Sequence, residues 1–363
     1  MVQIVFFGVT GFIGGAVLDA LLREFEDEVN VHALVRTQDQ AERLTAQYPT
    51  VSCIIGRTED LVVVEQLSRD ANIVINCAPD ITHEADIQAM LKGLSSREPG
   101  NKGYYIHTAG ATLIWEGEPT GEFGGRLWDD LTDIEDINAL PPNHTHATTN
   151  KIVRDASAAV NVAIMSPGGV SGLSPSLEHP TPLIVLIWGG AIRVYGGTFQ
   201  VGPGESRNAT IHVLDLAEQY LVLVRNALSE LTGTTNENSA PPFPLWGPKA
   251  FYFGCTENVA YGEWLQLLAE AMKSHGLVQH TDRRTITVSD AARLSLATQM
   301  GGEYDADAPL PPADSWVMHL AASYGLNMRV KPTRMEKLGW KPKHGVAEDL
   351  AEVIAKCVEL GKL

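Results

Sequence analysis

Short apolar runs alternate with stretches of helical periodicity through the first two thirds of the chain. Val2, Ile4, Val5, Phe6 and Phe7 form a nearly all-apolar run, the pattern of a strand buried on both faces. Ile13, Ala16, Val17, Ala20 and Leu21 then recur at helical spacing. Val29, Val31, Ala33 and Val35 alternate and predict a second strand over 29–35, with a third over 51–55 and a fourth over 73–78. A helix around 85–94 leads to a fifth strand within 104–110, and 160–165 predicts a sixth. Phe251 to Gly254 predicts one more strand, and Tyr261 to Met272 a helix. Alternating strands and helices through Leu216 predict an α/β chain built on a doubly wound parallel sheet, with a smaller, mostly helical C-terminal lobe.

Between the first strand and the first helix lies Gly8-Val9-Thr10-Gly11-Phe12-Ile13-Gly14. Gly8 permits a tight turn, Gly11 lets a pyrophosphate approach bare backbone, and Gly14 lets helix and strand pack closely. The helix N-terminus adds free N–H groups and a partial positive charge for the phosphates. Glycines at i, i+3 and i+6, with Thr10 and Phe12-Ile13, resemble the turn of extended short-chain dehydrogenases/reductases. That group contains nucleotide-sugar epimerases, dehydratases and atypical NmrA-like members. The resemblance implies a Rossmann fold holding NAD or NADP, with Gly8, Thr10, Gly11, Phe12, Ile13 and Gly14 at the cofactor.

Further segments fit the same plan. The second strand ends at Arg36, where an NAD site usually places an acid on the ribose 2′-hydroxyl. An arginine instead neutralises a 2′-phosphate, so NADP is the expected cofactor, with NAD the alternative. A solvated arginine capping the strand is the competing reading. Asp60 either lies near the adenine or starts the next helix. At the end of strand four, the small Ala78 lets a cofactor pass close to backbone, and Cys77 is expected to pack rather than react. Ser166 to Gly172 resembles the Pro-containing turn flanking nicotinamide, which assigns Pro167, Gly168 and Val170 to the cofactor. The stretches 199–204 and 211–217 resemble the return from the substrate lobe, with His212 and Asp215 pinning a strand-to-helix junction. Leu338-Gly339-Trp340-Lys341-Pro342 resembles the Leu-Gly-Trp-x-Pro close of epimerase-like proteins. The expected division is a dinucleotide-binding domain over 1–172, with returns near 208–226 and 249–256, and an interleaved substrate lobe over 173–363.

Catalytic residues depart from the pattern. The family carries Tyr-x-x-x-Lys on one helical face, the lysine lowering the tyrosine pKa and binding nicotinamide ribose. Here Lys151 is present, but Ala147 stands four residues before it, and Ala109 occupies the place aligned with the usual serine. In fungal epimerase-like relatives a His-Arg-x-x-Asp stretch replaces Tyr-x-x-x-Lys. His146 fits that pattern, while Ala147 and Asn150 replace its arginine and acid. The expected catalytic set is therefore Thr108 for the substrate oxygen, His146 for the proton and Lys151 for the ribose.

The expected function is an NADP-dependent oxidoreductase or epimerase-like enzyme for a small carbonyl or hydroxyl metabolite. A non-redox cyclase, isomerase or lyase using His107, His144 and His146 is the alternative, and an NmrA-like dinucleotide sensor is the third. Glu116 to Pro142, acidic and punctuated by Gly and Pro, is expected to loop over the cleft.

Composition narrows the partners. The 363 residues carry 44 acidic and 27 basic side chains, a formal charge of −17, which argues against nucleic acid or an anionic membrane surface. A local basic pocket stays compatible with that balance. Cys53, Cys77, Cys255 and Cys357 form no CxxC pair, so a reduced, cytoplasmic setting is expected. The opening apolar run leads into the glycine turn rather than a cleavage site, and Leu183 to Ile192 falls short of the ~20 residues a bilayer needs. His144-x-His146 lacks a matching Cys/His cluster, so no metal is expected. A small-molecule substrate is the expected partner, and a homodimer is compatible with the family.

Overall fold

Seven strands make one all-parallel sheet: β1 (Val2–Phe7), β2 (Val29–Val35), β3 (Ser52–Ile55), β4 (Ile73–Asn76), β5 (Tyr104–Thr108), β6 (Asn161–Pro167) and β7 (Phe251–Gly254). The computed structural model describes residues 1–97, 101–115, 117–234 and 241–363. Across the sheet the strands run 3-2-1-4-5-6-7, so the order reverses between β1 and β4. Ile4 pairs with Val31 on one side and Ile73 on the other, and all three are buried. A central strand covered on both faces has no solvent side to mark with polar residues, which is why β1 reads as a continuous apolar run.

Helices cover both faces: α1 (Phe12–Phe25), α2 (Gln38–Gln47), α3 (Leu61–Asp70), α4 (Glu84–Ser95) and α5 (Ala147–Asp155). Each α2 and α3 start is fixed by a side chain, Thr37 accepting from Gln40 N and Asp60 accepting from Val63 N. Asp60 is thus a helix cap, the second of its two expected roles. Further along come α6 (Leu183–Tyr195), α7 (Val213–Thr232), α8 (Tyr261–Ser274), α9 (Val288–Met300), α10 (Trp316–Ser323) and α11 (Leu350–Glu359). From this later part of the chain, α7 packs on α1 through Tyr220, Leu221 and Val224 against Leu18 and Leu21, completing one layer of the sheet. The remaining helices enclose a separate apolar core built on Val185, Trp188, Ile192, Trp264, Leu268 and Ile354.

Two features tie the lobe to the sheet. The Asp215 carboxylate accepts hydrogen bonds from the backbone N–H groups of Lys343 and His344, and Trp340 Nε1 donates to Asp215 O. His212 accepts from Leu214 N and faces Asp349 at 3.3 Å. Both residues hold a strand-to-helix junction, as the sequence pattern suggests.

The acidic stretch after residue 116 behaves differently from expectation. Glu116 itself lies outside the described residues. Trp128, Ile134 and Ile137 are buried in the core beneath β5 and β6. Residues 127–129 pair with 329–331, and Asp130 accepts from Phe253 N and Arg334 N. With Trp128, Ile134 and Ile137 buried, the segment clamps the sheet edge to the C-terminal part and lines neither cavity described below.

Candidate active site

At the carboxyl ends of the strands, on the line where strand order reverses, lies a groove of about 590 Å³. This is the place where open α/β sheets bind ligands. It is bounded by Gly8, Thr10 and Gly11 after β1, Arg36 after β2, Gly56 to Glu59 after β3, and Cys77 to Asp80 after β4. Gly8 has φ +78°, and a Cβ there would lie 2.4 Å from Ala78 N. At Gly14 a Cβ would stand 2.1 Å from Gly8 O, so this glycine is required by helix-to-turn packing rather than by a ligand. Gly11 differs from both. It caps α1 in extended geometry, makes no side-chain cap, and a Cβ there would meet nothing closer than Gly8 O at 3.2 Å. α1 thus starts beside the groove with no side-chain cap on its first turn, an arrangement able to receive a phosphate. Arg36 and Arg57 are exposed at the far rim, a local basic patch on an acidic protein.

A second cavity of about 440 Å³ adjoins the first, with Cys77 and Ala109 lining both. Phe12, Ile13, Pro167, Gly168 and Val170 line this cavity rather than the groove. It is walled by Trp115, Trp188 and Tyr261, with Leu183, Ile184 and Ile187 of α6 and Trp316 of α10. α6 is apolar over nearly its whole surface because one side packs in the lobe core and another lines this cavity. Among the described residues no helix is long and apolar enough to cross a membrane.

His146 stands in this wall, held by an acid that the sequence did not single out. Its Nδ1 lies 2.7 Å from Asp80 Oδ2, and Thr149 Oγ1 lies 3.0 Å from the same oxygen. His107, fully buried, approaches that oxygen to 3.7 Å. Burial pushes the Asp80 carboxyl up, but the two histidines beside it more than reverse this and hold it below its ordinary value. An ionised Asp80 fixes Nδ1 as the donor and turns Nε2 outward. That nitrogen packs against Gly110, where a Cβ would lie only 2.6 Å from it.

Among the described residues, the two non-glycine positions with left-handed backbone are Thr82, φ +64°, and His146, φ +66°. One is in the turn that carries Asp80 and the other is the histidine itself. Such backbone costs of order 1–3 kcal/mol and persists where surrounding structure imposes it, commonly at functional sites.

Two expected catalytic residues are not where expected. Lys151 projects from α5 into solvent, its side chain 66% exposed and paired with Asp155, and it lines neither cavity. The buried residues of α5 are Ala147, Thr149, Asn150 and Val153, and the polar pair at four-residue spacing on this side is the half-buried His146 with Asn150, one position before the aligned pair. Thr108 borders the groove, but its hydroxyl lies 2.6 Å from the buried Tyr220 hydroxyl and 3.4 Å from Cys77 Sγ. Strand alternation turns Thr108 toward α7, and the neighbour facing the second cavity is Ala109. The Cys77 thiol is pushed up to about 12 by burial, consistent with packing rather than nucleophilic chemistry. His144 is engaged with Leu113 O at 2.8 Å, apart from His146. Asp80, Arg57 and the tryptophans were missed; for Asp80 a signal existed, its place just past the carboxyl end of a central strand.

Residues 4–93 match the family model of the saccharopine dehydrogenase NADP binding domain. The oxidase ucsJ of Acremonium sp. is 28% identical over 298 residues, 79% of this chain and 84% of that protein. The whole chain also superposes on UDP-glucose 4-epimerase of Thermotoga maritima, solved with UDP-glucose, with a TM-score of 0.60 at 14% identity, covering 98% and 99% of the two chains. The chain shares the doubly wound, Rossmann-type fold of that epimerase. The dTDP-glucose 4,6-dehydratase DesIV of Streptomyces venezuelae, solved with NAD bound, gives the same TM-score of 0.60 at 14% identity, covering 98% and 97%. These likenesses are to NAD(P)-binding and oxidoreductase-like proteins.

Proposed function

We propose that the protein is an NADP-dependent oxidoreductase that interconverts a carbonyl and a hydroxyl group, with His146 moving the proton. The observation that carries this reading is the Asp80–His146 pair at the junction of groove and apolar cavity. The residues present fit a dinucleotide: a glycine turn, an uncapped helix N-terminus and two arginines at the adenosine end. When bound, the cofactor supplies or accepts the hydride. In reduction, His146 donates from Nε2 to the substrate oxygen as the carbonyl carbon gains hydride, and solvent restores the proton. In oxidation, the same nitrogen takes the hydroxyl proton. Asp80 stabilises the imidazolium and holds the ring in its productive tautomer. Ala147 and Ala109 have no proton to move, which supports this substitution of His for the Tyr/Ser relay.

Acid–base groups typically contribute about 10²–10⁴-fold in rate. Single-turnover hydride transfer should fall within that range in His146→Ala, with NADPH affinity retained. Asp80→Asn should slow the step less than His146→Ala does, because the imidazolium loses its counter-charge but the ring itself remains. Unchanged hydride transfer in His146→Ala would sink the assignment. Product formation with no change in nicotinamide absorbance would favour the non-redox alternative.

A further inference from the structure

The second cavity has walls suited to one chemical class. Among the described residues that line it there is no Lys, Arg, Asp or Glu. Its polar side chains are largely engaged by the protein. Asn208 accepts from Trp115 Nε1 and donates to Leu326 O, and Thr210 donates to Glu257 O. His146 remains, with Nε2 at the wall, together with the Thr112 hydroxyl, and Tyr261 adds a buried hydroxyl without a protein partner. The rest of the surface is aromatic and aliphatic: Trp115, Trp188, Trp316, Ile184, Ile187 and Leu320. Leu183 and Trp316 are well exposed, so apolar surface continues to the rim.

We infer that the substrate is a neutral, largely apolar compound, of aromatic or fused-ring type, with one carbonyl or hydroxyl placed at His146. A nucleotide sugar is a poor fit, because its diphosphate would lose water without gaining a cation. Cavities of this kind hold ligands by apolar contact and use a few polar groups to fix orientation. A flat ring system matches walls of indole and phenol, which favour offset and edge-to-face contacts. Among the described residues lining the two cavities, the arginines, Arg36 and Arg57, belong to the other cavity and are assigned to the dinucleotide. The inference rests on the oxidoreductase reading for which atom faces His146, but not for the class of molecule bound.

The test is calorimetric binding to the full chain saturated with NADP⁺, whose oxidised nicotinamide cannot reduce the probe, using 2-acetylnaphthalene as a neutral aryl ketone and UDP-glucose as its charged counterpart. The ketone should bind with a dissociation constant below about 1 mM and at least about 10-fold more tightly than UDP-glucose. Trp316→Ala, at the exposed rim, and Ile187→Asp, inside, should each weaken the ketone by about 10-fold or more while leaving NADP⁺ affinity unchanged. Should Ile187→Asp fail to fold, the rim variant alone decides. UDP-glucose binding as tightly as the ketone, no ketone binding below that limit, or ketone binding indifferent to Trp316→Ala overturns the inference. Because no turnover is measured, absence of hydride transfer would reject the oxidoreductase reading and leave this result standing. Conversely, His146-dependent reduction of a charged carbonyl compound would retain that reading and reject this one.

Discussion

His146 shows how close a sequence comparison can come and still point at the wrong neighbour. Aligning Lys151 with the family lysine leaves Ala147 as the missing tyrosine, yet the helix turns Lys151 outward and puts His146 and Asn150 inward. A one-residue shift on a helix rotates a side chain by about 100°, enough to exchange solvent for cleft. The histidine was legible as a candidate; its partner Asp80, sixty-six positions away, was not, because only folding brings the β4 turn beside α5. Arg36 can be tested at the same scale. It and Arg57 line the groove, with no acid at the end of β2. Arg36→Ala should raise the NADPH dissociation constant by about 10-fold or more, in line with a lost charged hydrogen bond, and change NADH binding little. Equal losses for both cofactors, measured by fluorescence titration, would remove the 2′-phosphate role.

At the scale of elements, β1, the glycine turn and α1 were readable from local pattern alone, since each depends on near neighbours in sequence. Strands β2 and β7 fall on their expected residues, and the others within a few. What local pattern cannot show is which element roofs a cavity. The acidic stretch before residue 142 looked like a lid by composition, but its Trp128, Ile134 and Ile137 bury it at the sheet edge, and α6 and α10 form the roof instead. Two glycines of one turn separate binding from folding. Gly14→Ala forces a Cβ onto Gly8 O and should cost about 1–3 kcal/mol, seen as a lower melting temperature. Gly11→Ala, with ordinary φ and one tight contact at 3.2 Å to Gly8 O, should melt closer to the wild-type protein than Gly14→Ala does, yet weaken dinucleotide binding by about 10-fold or more. If Gly11→Ala binds normally, the phosphates do not sit on the N-terminus of α1.

For the molecule as a whole, the doubly wound sheet and its helical lobe were expected from alternation and family pattern, and the order 3-2-1-4-5-6-7 agrees. The way α7 and β7 return to the sheet after residue 200 was legible only as resemblance, since long-range pairing leaves little trace in local periodicity. The net charge of −17 hides the basic patch at Arg36 and Arg57, because a sum over the chain says nothing about where charges gather. One feature of the joined cavities reaches into kinetics. They share Cys77 and Ala109, but the dinucleotide groove has its rim at Arg36 and Arg57, and the apolar chamber has its rim at Leu183 and Trp316. Two doorways mean that neither ligand must leave before the other enters. Initial rates should therefore follow a random sequential scheme: intersecting double-reciprocal lines, with each product competing against its own oxidised or reduced counterpart. An obligatory order, with the organic product released before any cofactor can dissociate, would mean that one doorway closes once the other is filled.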